Sequence, residues 1–296
     1  RRCGKSTLLG QIREAAALPF EACAFVNFED PRLSDALNHR TLDAIVDYVT
    51  QRKPEGPWYF FFDEIQEVEG WEKWLHSRLE NPRGEYFIVT GSNSSLLGGK
   101  SGAALTGRHR TLELFPFNWD EFHEARPQAK FEDYLSCGGF PRPLSAKEPS
   151  ELLREYFTDI IDRDVRRHVA ARSALTLTQL ARMVYETTGS ETSHRNLAQA
   201  MDLSIGTTRA YLDGFVSAYL VLRCPYFAYS ERKRLVRPSK FYPIDLGLRE
   251  SVVTPTGTDL GKKLETAVFH SLRQRYREVY YWRGKGEVDF VVQDKT

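Results

Sequence analysis

The stretch RRCGKST at residues 1–7 decides the fold class of this chain. Its Gly4-Lys5-Ser6 matches the end of the pattern Gly-x-x-x-x-Gly-Lys-Ser/Thr, whose backbone N–H groups hold phosphate oxygens. The pattern places its first glycine two positions before Arg1, so it predicts that this glycine and one strand precede the sequence. The fragment is a strong signal only when a second feature of a nucleotide site follows it.

That second feature is the run WYFFFDE at residues 58–64. Five apolar residues after Pro57 are typical of a central parallel strand, and ligands bind beyond the carboxyl ends of such strands. We therefore expect Asp63 to ligate Mg²⁺, and Glu64 to orient and deprotonate the attacking water. The alternative is that both acids cap the helix that starts near Gly70, which accounts for one acid but not for a pair.

Apolar residues spaced as on one helix face predict a helix from Lys5 to Ala17, directly after the loop. Lys5 is expected to reach the β- and γ-phosphates of ATP, and the Ser6 hydroxyl to ligate Mg²⁺. The alternative is a lysine at an ordinary helix start. The residues expected to bind the nucleotide are those of the loop and the first helical turn: Arg2, Cys3, Gly4, Lys5, Ser6 and Thr7.

The composition is that of a globular protein with more than one domain. The chain has 296 residues, of which 41% are hydrophobic and 27% charged, and its net charge is +1. This length predicts two or three domains, and the balanced charge restricts any nucleic-acid partner to a local patch. Four cysteines far apart fit a reducing compartment, and no apolar run approaches the ~20 residues of a membrane span. We expect a cytoplasmic protein with no membrane partner.

A winged helix is predicted in the middle of the chain, after one amphipathic helix from Glu151 to Val169. The apolar pattern predicts three further helices, at Leu177–Thr187, Ser193–Met201 and Thr207–Ala218. A β-ribbon at Leu220–Tyr242 follows them, and this order of elements is typical of a winged helix.

Basic residues are concentrated in the predicted ribbon and just after it. Between Arg223 and Arg249 there are seven Lys or Arg and two acids, a density typical of contacts to DNA phosphates. The alternative is a winged helix that packs on protein, with a solvated basic turn. The candidate recognition helix has few side chains that read bases, so we expect no sequence specificity. The predicted DNA contacts are Arg209, Arg232, Lys233, Arg234 and Arg237.

The last part of the chain is predicted to begin a nuclease-like fold. A helix at Gly261–Tyr276 carries Glu265, and a strand at Val279–Arg283 is followed by Asp289 at the start of an apolar strand. This order resembles the first half of a PD-(D/E)xK nuclease core, in which acidic residues bind a metal ion such as Mg²⁺. The later Glu-x-Lys element of that core is expected beyond Thr296. Alternatively, Glu265 is a surface acid of its helix.

Together these features resemble a family of predicted AAA-type P-loop ATPases of bacteria and archaea that carry a C-terminal domain of unknown function 4143. The segment Glu124–Phe131 is shorter than is common in that family, and the chain stops before the family's end. The resemblance covers nearly the whole chain and is carried, in the family's order, by RRCGKSTLL, VNFEDPRL, FFFDEIQEVEGWE, TGSNSSLL, LTGRHRTLELFPFNWDEF, YLSCGGFP, PIDLGLRE, LGKKLETAVF and YYWRGKGEVDFVV.

The resemblance implies an α/β fold with three parts. Residues 1–145 form an AAA-type P-loop domain, a parallel sheet with helices on both faces. Residues 150–250 form a helical linker and a winged-helix domain. Residues 255–296 form the start of a restriction-endonuclease-like α/β domain.

Two further site residues follow from the resemblance. P-loop ATPases keep a residue that senses the γ-phosphate at the tip of the strand that here is Tyr86–Val89, and Asn93 or Ser92 takes that place unless the segment is a simple turn. AAA-type ATPases project an arginine from just before the last core strand into the nucleotide site of the neighbouring subunit. Arg108, before the predicted strand Thr111–Leu114, matches it and implies a homo-oligomer, with a surface arginine as the alternative.

The favoured function is an ATPase that binds ATP and Mg²⁺ and couples hydrolysis to action on double-stranded DNA. A slow nucleotide-gated switch that holds a protein partner is the main alternative. A DNA-processing nuclease regulated by ATP is a third.

Overall fold

The computed structural model describes residues 2–91, 108–169, 171, 173–254 and 259–293. The chain separates into two compact units, Arg1–Leu114 and Phe115–Thr296. The second unit begins before residue 145, the predicted end of the first domain. The reason is that the backbone N–H of Phe117 donates to the carbonyl of Gly139 at 2.8 Å, which fixes this segment within the second unit.

The first unit contains a parallel three-stranded sheet, in which the strand Trp58–Asp63 lies between Cys23–Asn27 and Glu85–Val89. In the register, Asn27 lies opposite Asp63, and Phe62 lies opposite Val89. The central strand confirms the strand predicted from the apolar run. The strands are β1 Cys23–Asn27, β2 Trp58–Asp63 and β3 Glu85–Val89, and the helices are α1 Lys5–Ala15, α2 His39–Arg52 and α3 Trp71–Glu80.

One core cluster of this unit lies on one face of the sheet. Phe60 and Phe62 of β2 are fully buried there against the apolar sides of α2 and α3, which include Val46 and Trp74. Burial of one such aromatic side chain contributes about 1.5–3 kcal/mol, so this face anchors the strand that ends at the two acids. The predicted strand Thr111–Leu114 is irregular instead. Among the described residues, no strand pairs with this segment. A β-strand is defined by its hydrogen bonds to a neighbouring strand, so this segment is not one.

The second unit is mainly helical. Helix α6, Pro149–Asp159, confirms the predicted long amphipathic helix. It continues as a π-helical stretch at Ile160–Val165 and ends in a short α-helical turn at Arg166–Val169. Its helices are α4 Trp119–Ala125, α5 Phe131–Cys137, α6 Pro149–Asp159, α7 Ala174–Glu186, α8 His194–Ala200, α9 Ile205–Ser217, α10 Glu231–Val236, α11 Leu246–Val252 and α12 Leu260–Arg275.

Helix α7 is followed by the first strand of an antiparallel sheet of order β4-β6-β5, and α8 and α9 lie between β4 and β5 in the chain. The ribbon predicted after α9 consists of β5 and β6, with Leu222 opposite Tyr242. Its tip is not the turn that the sequence predicted, because α10 lies between the two strands. The strands of this unit are β4 Glu191–Thr192, β5 Val221–Cys224, β6 Ser239–Pro243, β7 Val279–Arg283 and β8 Glu287–Val292, of which the last two form an antiparallel hairpin.

A glycine clamp, formed by Gly138, Gly139, Asp245 and Gly247, joins the end of α5 to the start of α11. The buried carboxylate of Asp245 accepts hydrogen bonds from the backbone of Gly139 at 2.6 Å and of Leu248 at 2.8 Å. A Cβ atom on Gly247 would overlap the carbonyl oxygen of Cys137. The motifs YLSCGGFP and PIDLGLRE therefore pack directly on each other.

None of the helices within the described ranges combines the length and the apolar character that crossing a membrane requires.

Candidate functional site

The loop before α1 has a backbone suited to an anion. Gly4 has φ 91° and is the N-cap of α1, and Arg2 also has a positive φ of 63°. No side chain of the described residues caps α1, so the N–H groups of its first turn face outward from an eleven-residue helix. An uncapped helix N-terminus after a glycine is the usual geometry for binding phosphate, and the predicted loop residues from Arg2 to Thr7 all lie here.

Asp63 ends the central strand beside this loop. It is buried, and its two carboxylate oxygens accept separate hydrogen bonds, from the Ser6 hydroxyl on one side and from the Thr90 hydroxyl on the other. The Thr90 hydroxyl also accepts the backbone N–H of Glu64 at 3.2 Å. The structure therefore brings together Ser6 and Asp63, the two predicted Mg²⁺ ligands.

Glu64 follows in a left-handed backbone conformation, with φ 54° and ψ 46°. Such a conformation is uncommon for a residue with a Cβ atom and is often found at functional sites. One of its oxygens lies 3.1 Å from Lys5 Nζ, and the other accepts a hydrogen bond from Gln66 Nε2 at 2.7 Å. Burial opposes ionisation of Glu64, but the charge of Lys5 and the hydrogen bonds outweigh it and hold the pKa of the carboxyl below its ordinary value.

Thr90 and Gln66 are site residues that the sequence analysis missed. Thr90 is the first residue after β3, and the register places it beside Asp63. A register argument from the two neighbouring strand ends was available, because parallel strands end at the same edge of the sheet. No comparable signal in the sequence indicates Gln66, since its contact depends on the left-handed turn at Glu64.

Ser6 and Asp63 fit a magnesium ion. Both present oxygen atoms, which Mg²⁺ prefers, and Mg²⁺ keeps several of its own waters and therefore needs only one or two protein ligands. The Ser6 hydroxyl already contacts one oxygen of Asp63, so the two groups converge on one place.

The predicted sensor residues Ser92 and Asn93 lie outside the described residues. Arg108 lies within them and is half-exposed, with its nearest guanidinium nitrogen 3.7 Å from a carboxylate oxygen of Glu80. Its role in a neighbouring subunit stays a prediction from the sequence.

The predicted DNA contacts separate into two groups. Arg209 is exposed on α9, and Arg232 and Lys233 are exposed on α10. Arg234 differs, because it is only 22% exposed, donates to the carbonyl of Ala228 at 2.6 Å and lies over the ring of Tyr280. Arg237 lies over a ring as well, that of Tyr226. Arg234 therefore packs on the β7–β8 hairpin, and contact of these residues with DNA stays a prediction.

The predicted nuclease-like residues Glu265 and Asp289 lie near each other, around a lysine. The ammonium of Lys240 on β6 is 3% exposed and lies 3.4 Å from Glu265, 3.9 Å from Asp289 and 3.0 Å from Glu287. Burial disfavours the charge on Lys240, but the three carboxylates outweigh it and raise the pKa of this lysine. Its ammonium takes the space where these carboxylates meet, and the described residues contain no cluster of acids, histidines or cysteines arranged for a metal ion. The metal-binding role predicted for Glu265 and Asp289 stays a prediction.

The comparisons with known proteins agree with the geometry of the first unit. Residues 1–123 match the family model of an AAA domain. This match supports the interpretation of residues 1–123 as an AAA-type, P-loop ATPase-like domain that binds nucleotide. Residues 128–259 match a domain of unknown function (DUF8612), which differs from the domain of unknown function 4143 that the motifs resemble.

Two similar proteins extend over nearly all of the chain, and a third over part of it. An uncharacterized protein of Haemophilus influenzae is 26% identical over 99% of this chain and 78% of its own length. An uncharacterized protein of Methanocaldococcus jannaschii is 28% identical over 99% of this chain and 70% of its own length. An uncharacterized protein of Mycobacterium bovis is 28% identical over 70% of the chain and 49% of its own length. No solved structure matches the chain.

Proposed function

We propose that this protein binds ATP with Mg²⁺ and hydrolyses it to ADP and phosphate. The observation that carries the proposal is the convergence of loop and strand end, where Ser6 contacts Asp63 and Lys5 contacts Glu64. A phosphate-binding loop, a metal ligand and a carboxylate base at one sheet edge are what phosphoryl transfer to water requires. The AAA domain match supports the same function.

In this reaction, the first-turn N–H groups of α1 and the Lys5 ammonium bind the phosphates. Ser6 and Asp63 would hold Mg²⁺, which supplies positive charge to the phosphate oxygens when bound. Glu64 takes a proton from water as the water oxygen bonds to the γ-phosphorus. The bond from that phosphorus to the bridging oxygen of ADP breaks at the same time, and phosphate and ADP leave.

Replacing Lys5 by Ala in the full-length protein should weaken ATP binding about 100-fold or more. The ammonium makes charge-assisted contacts to phosphate, and the loss of one or two of these at about 1.5–3 kcal/mol each accounts for that factor. Titration with a fluorescent ATP analogue measures it. Lys73→Ala, which removes an exposed lysine of α3, is the matched control and should bind as the parent does. Equal affinity of both variants would contradict the proposed site.

A second proposal is that the second unit binds double-stranded DNA without sequence specificity. The observation that favours it is the element order α7, β4, α8, α9, β5, β6 with a sheet of order β4-β6-β5, which we interpret as a winged helix. In such a fold the second helix of the helix-turn-helix pair, here α9, enters the major groove. Arg209 is exposed on it, and Arg232 and Lys233 are exposed on α10, between the two ribbon strands.

DNA affinity should fall steeply with salt, and the double variant Arg232→Ser/Lys233→Ser should flatten the logarithmic slope by about two units. Each phosphate neutralised contributes about 0.9 to that slope. Titration of duplexes of unrelated sequence at several salt concentrations measures it. Arg275→Ser/Arg277→Ser removes the same charge near the end of α12 and should leave the slope unchanged. An identical slope for both double variants would favour the alternative, in which this unit holds a protein partner.

A further inference from the structure

Each oxygen of the Glu64 carboxylate has its own partner. Oε1 lies 3.1 Å from Lys5 Nζ, and Oε2 accepts from Gln66 Nε2 at 2.7 Å. Both oxygens are therefore contacted in this arrangement, and the Lys5 ammonium lies against the oxygen that is to take a proton from water. Phosphate binding draws Lys5 away from Glu64, because the proposed site places the same ammonium on the nucleotide.

Gln66 is held more firmly than an ordinary loop residue. It is the middle residue of a single 3₁₀ turn, Ile65–Glu67, that begins directly after Glu64. Ile65, the first residue of this turn, and Val68, the residue directly after the turn, are buried in the core of the first unit. The N–H of Ile65 donates to the carbonyl of Thr90 at 3.1 Å, which ties the turn to the end of β3.

The oxygen of the Gln66 amide, unlike its nitrogen, has no hydrogen-bond partner among the described residues. Its carbonyl oxygen Oε1 is buried, and no donor among the described residues reaches it. A buried acceptor without a donor costs free energy, and most buried polar atoms in proteins are hydrogen-bonded. The hydrogen bond to Glu64 is thus the polar contact that this amide makes.

We infer that Gln66 is a positioning residue for the carboxylate that activates water. Gln66 keeps Oε2 in place while Lys5 moves to the phosphates, so Oε1 becomes free in a fixed orientation toward the γ-phosphate. A carboxylate held by one oxygen retains a defined direction for proton transfer, whereas an unheld one rotates. This inference rests on the proposed ATPase function and adds a residue to it.

The variant Gln66→Leu tests this role, with Glu67→Leu as its control. Gln66→Leu should lower kcat about 10- to 100-fold and change the dissociation constant for a non-hydrolysable ATP analogue less than twofold. Glu67→Leu introduces the same side chain at the next, exposed position and should keep the parental kcat. In the background of Glu64→Gln, Gln66→Leu should cause no further loss of hydrolysis, because it acts through Glu64.

A parental kcat for Gln66→Leu, or losses that multiply in the double variant, would overturn the inference. Should the parent bind ATP without hydrolysing it, the proposed function fails and a second measurement decides this inference. The change in thermal midpoint caused by Gln66→Leu in the nucleotide-free protein should then be more unfavourable in the parent than in Glu64→Ala, where the acceptor of the hydrogen bond is gone. Equal changes in both backgrounds would show that Gln66 does not act on Glu64.

Discussion

The Glu64→Gln variant should hydrolyse ATP at least about 100-fold more slowly than the parent and bind it about fivefold more tightly. The turnover falls because an amide takes no proton from water, and general-base catalysis contributes about 10²- to 10⁴-fold. The affinity rises because Glu64 no longer competes with phosphate for Lys5. The Lys5–Glu64 pair has a 3.1 Å contact and side chains only 18% and 11% exposed. A contribution of about 1 kcal/mol from it corresponds to the fivefold change.

Single-turnover hydrolysis and analogue binding, measured on the same preparations, separate these two effects. Glu69→Gln is the matched control, since Glu69 is an exposed acid just after the 3₁₀ turn. Parental turnover in Glu64→Gln would remove Glu64 as the base. Weaker binding in Glu64→Gln would show that the ion pair with Lys5 does not compete with nucleotide.

Gly247→Ala should destabilise the second unit by about 4 kcal/mol, lowering its thermal midpoint by about 8–16 °C. The added Cβ would overlap the carbonyl oxygen of Cys137, which is backbone and cannot move aside alone. A shift of α11 would also strain the bonds from Asp245 to the backbone of Gly139 and Leu248. Because Asp245 is fully buried, with its pKa raised to about 6 by that burial, it has no solvent to replace them.

Gly261→Ala is an unusually close control for this prediction. Gly261 is the second residue of α12, as Gly247 is of α11, and both follow the dipeptide Asp-Leu. A Cβ on Gly261 meets no atom within 4 Å. Gly261→Ala should therefore stabilise the protein slightly, by about 0.5 kcal/mol, through helix propensity. Differential scanning calorimetry measures the thermal midpoints of both variants. Equal changes in the midpoint for Gly247→Ala and Gly261→Ala would contradict the role assigned to the glycine clamp.

The candidate site was predictable where its chemistry is local in sequence. The loop before α1 and the acids after β2 follow from short patterns whose backbone geometry depends on neighbouring residues. The central strand also followed from the sequence, because an uninterrupted apolar run is stable only when both faces are covered. The short pattern at residues 1–7 and the run at 58–64 were therefore sufficient to expect Ser6 near Asp63, which the structure confirms.

In the second unit, the helices could be predicted from the sequence, but the contacts of the charged side chains could not. The apolar period indicated α7, α8 and α9, because that period reports which face of a helix is buried. Charge density alone placed Arg234 among the predicted DNA contacts, and only the structure shows that it packs against Tyr280 of a strand far along the chain. The same applies to Lys240, whose three carboxylate partners come from two later elements, α12 and β8.

Two identical tripeptides show where the sequence stops and the tertiary structure decides. Asp245-Leu246-Gly247 and Asp259-Leu260-Gly261 each start a helix, and helix propensity treats their glycines alike. The sequence by itself determined the second of these helices, predicted at Gly261–Tyr276, and the loop and acids of the candidate site, because those properties depend on adjacent residues. Only the tertiary structure decided that Gly247 lies against the backbone of Cys137 while Gly261 faces open space, because steric contact depends on which distant segments the fold brings together.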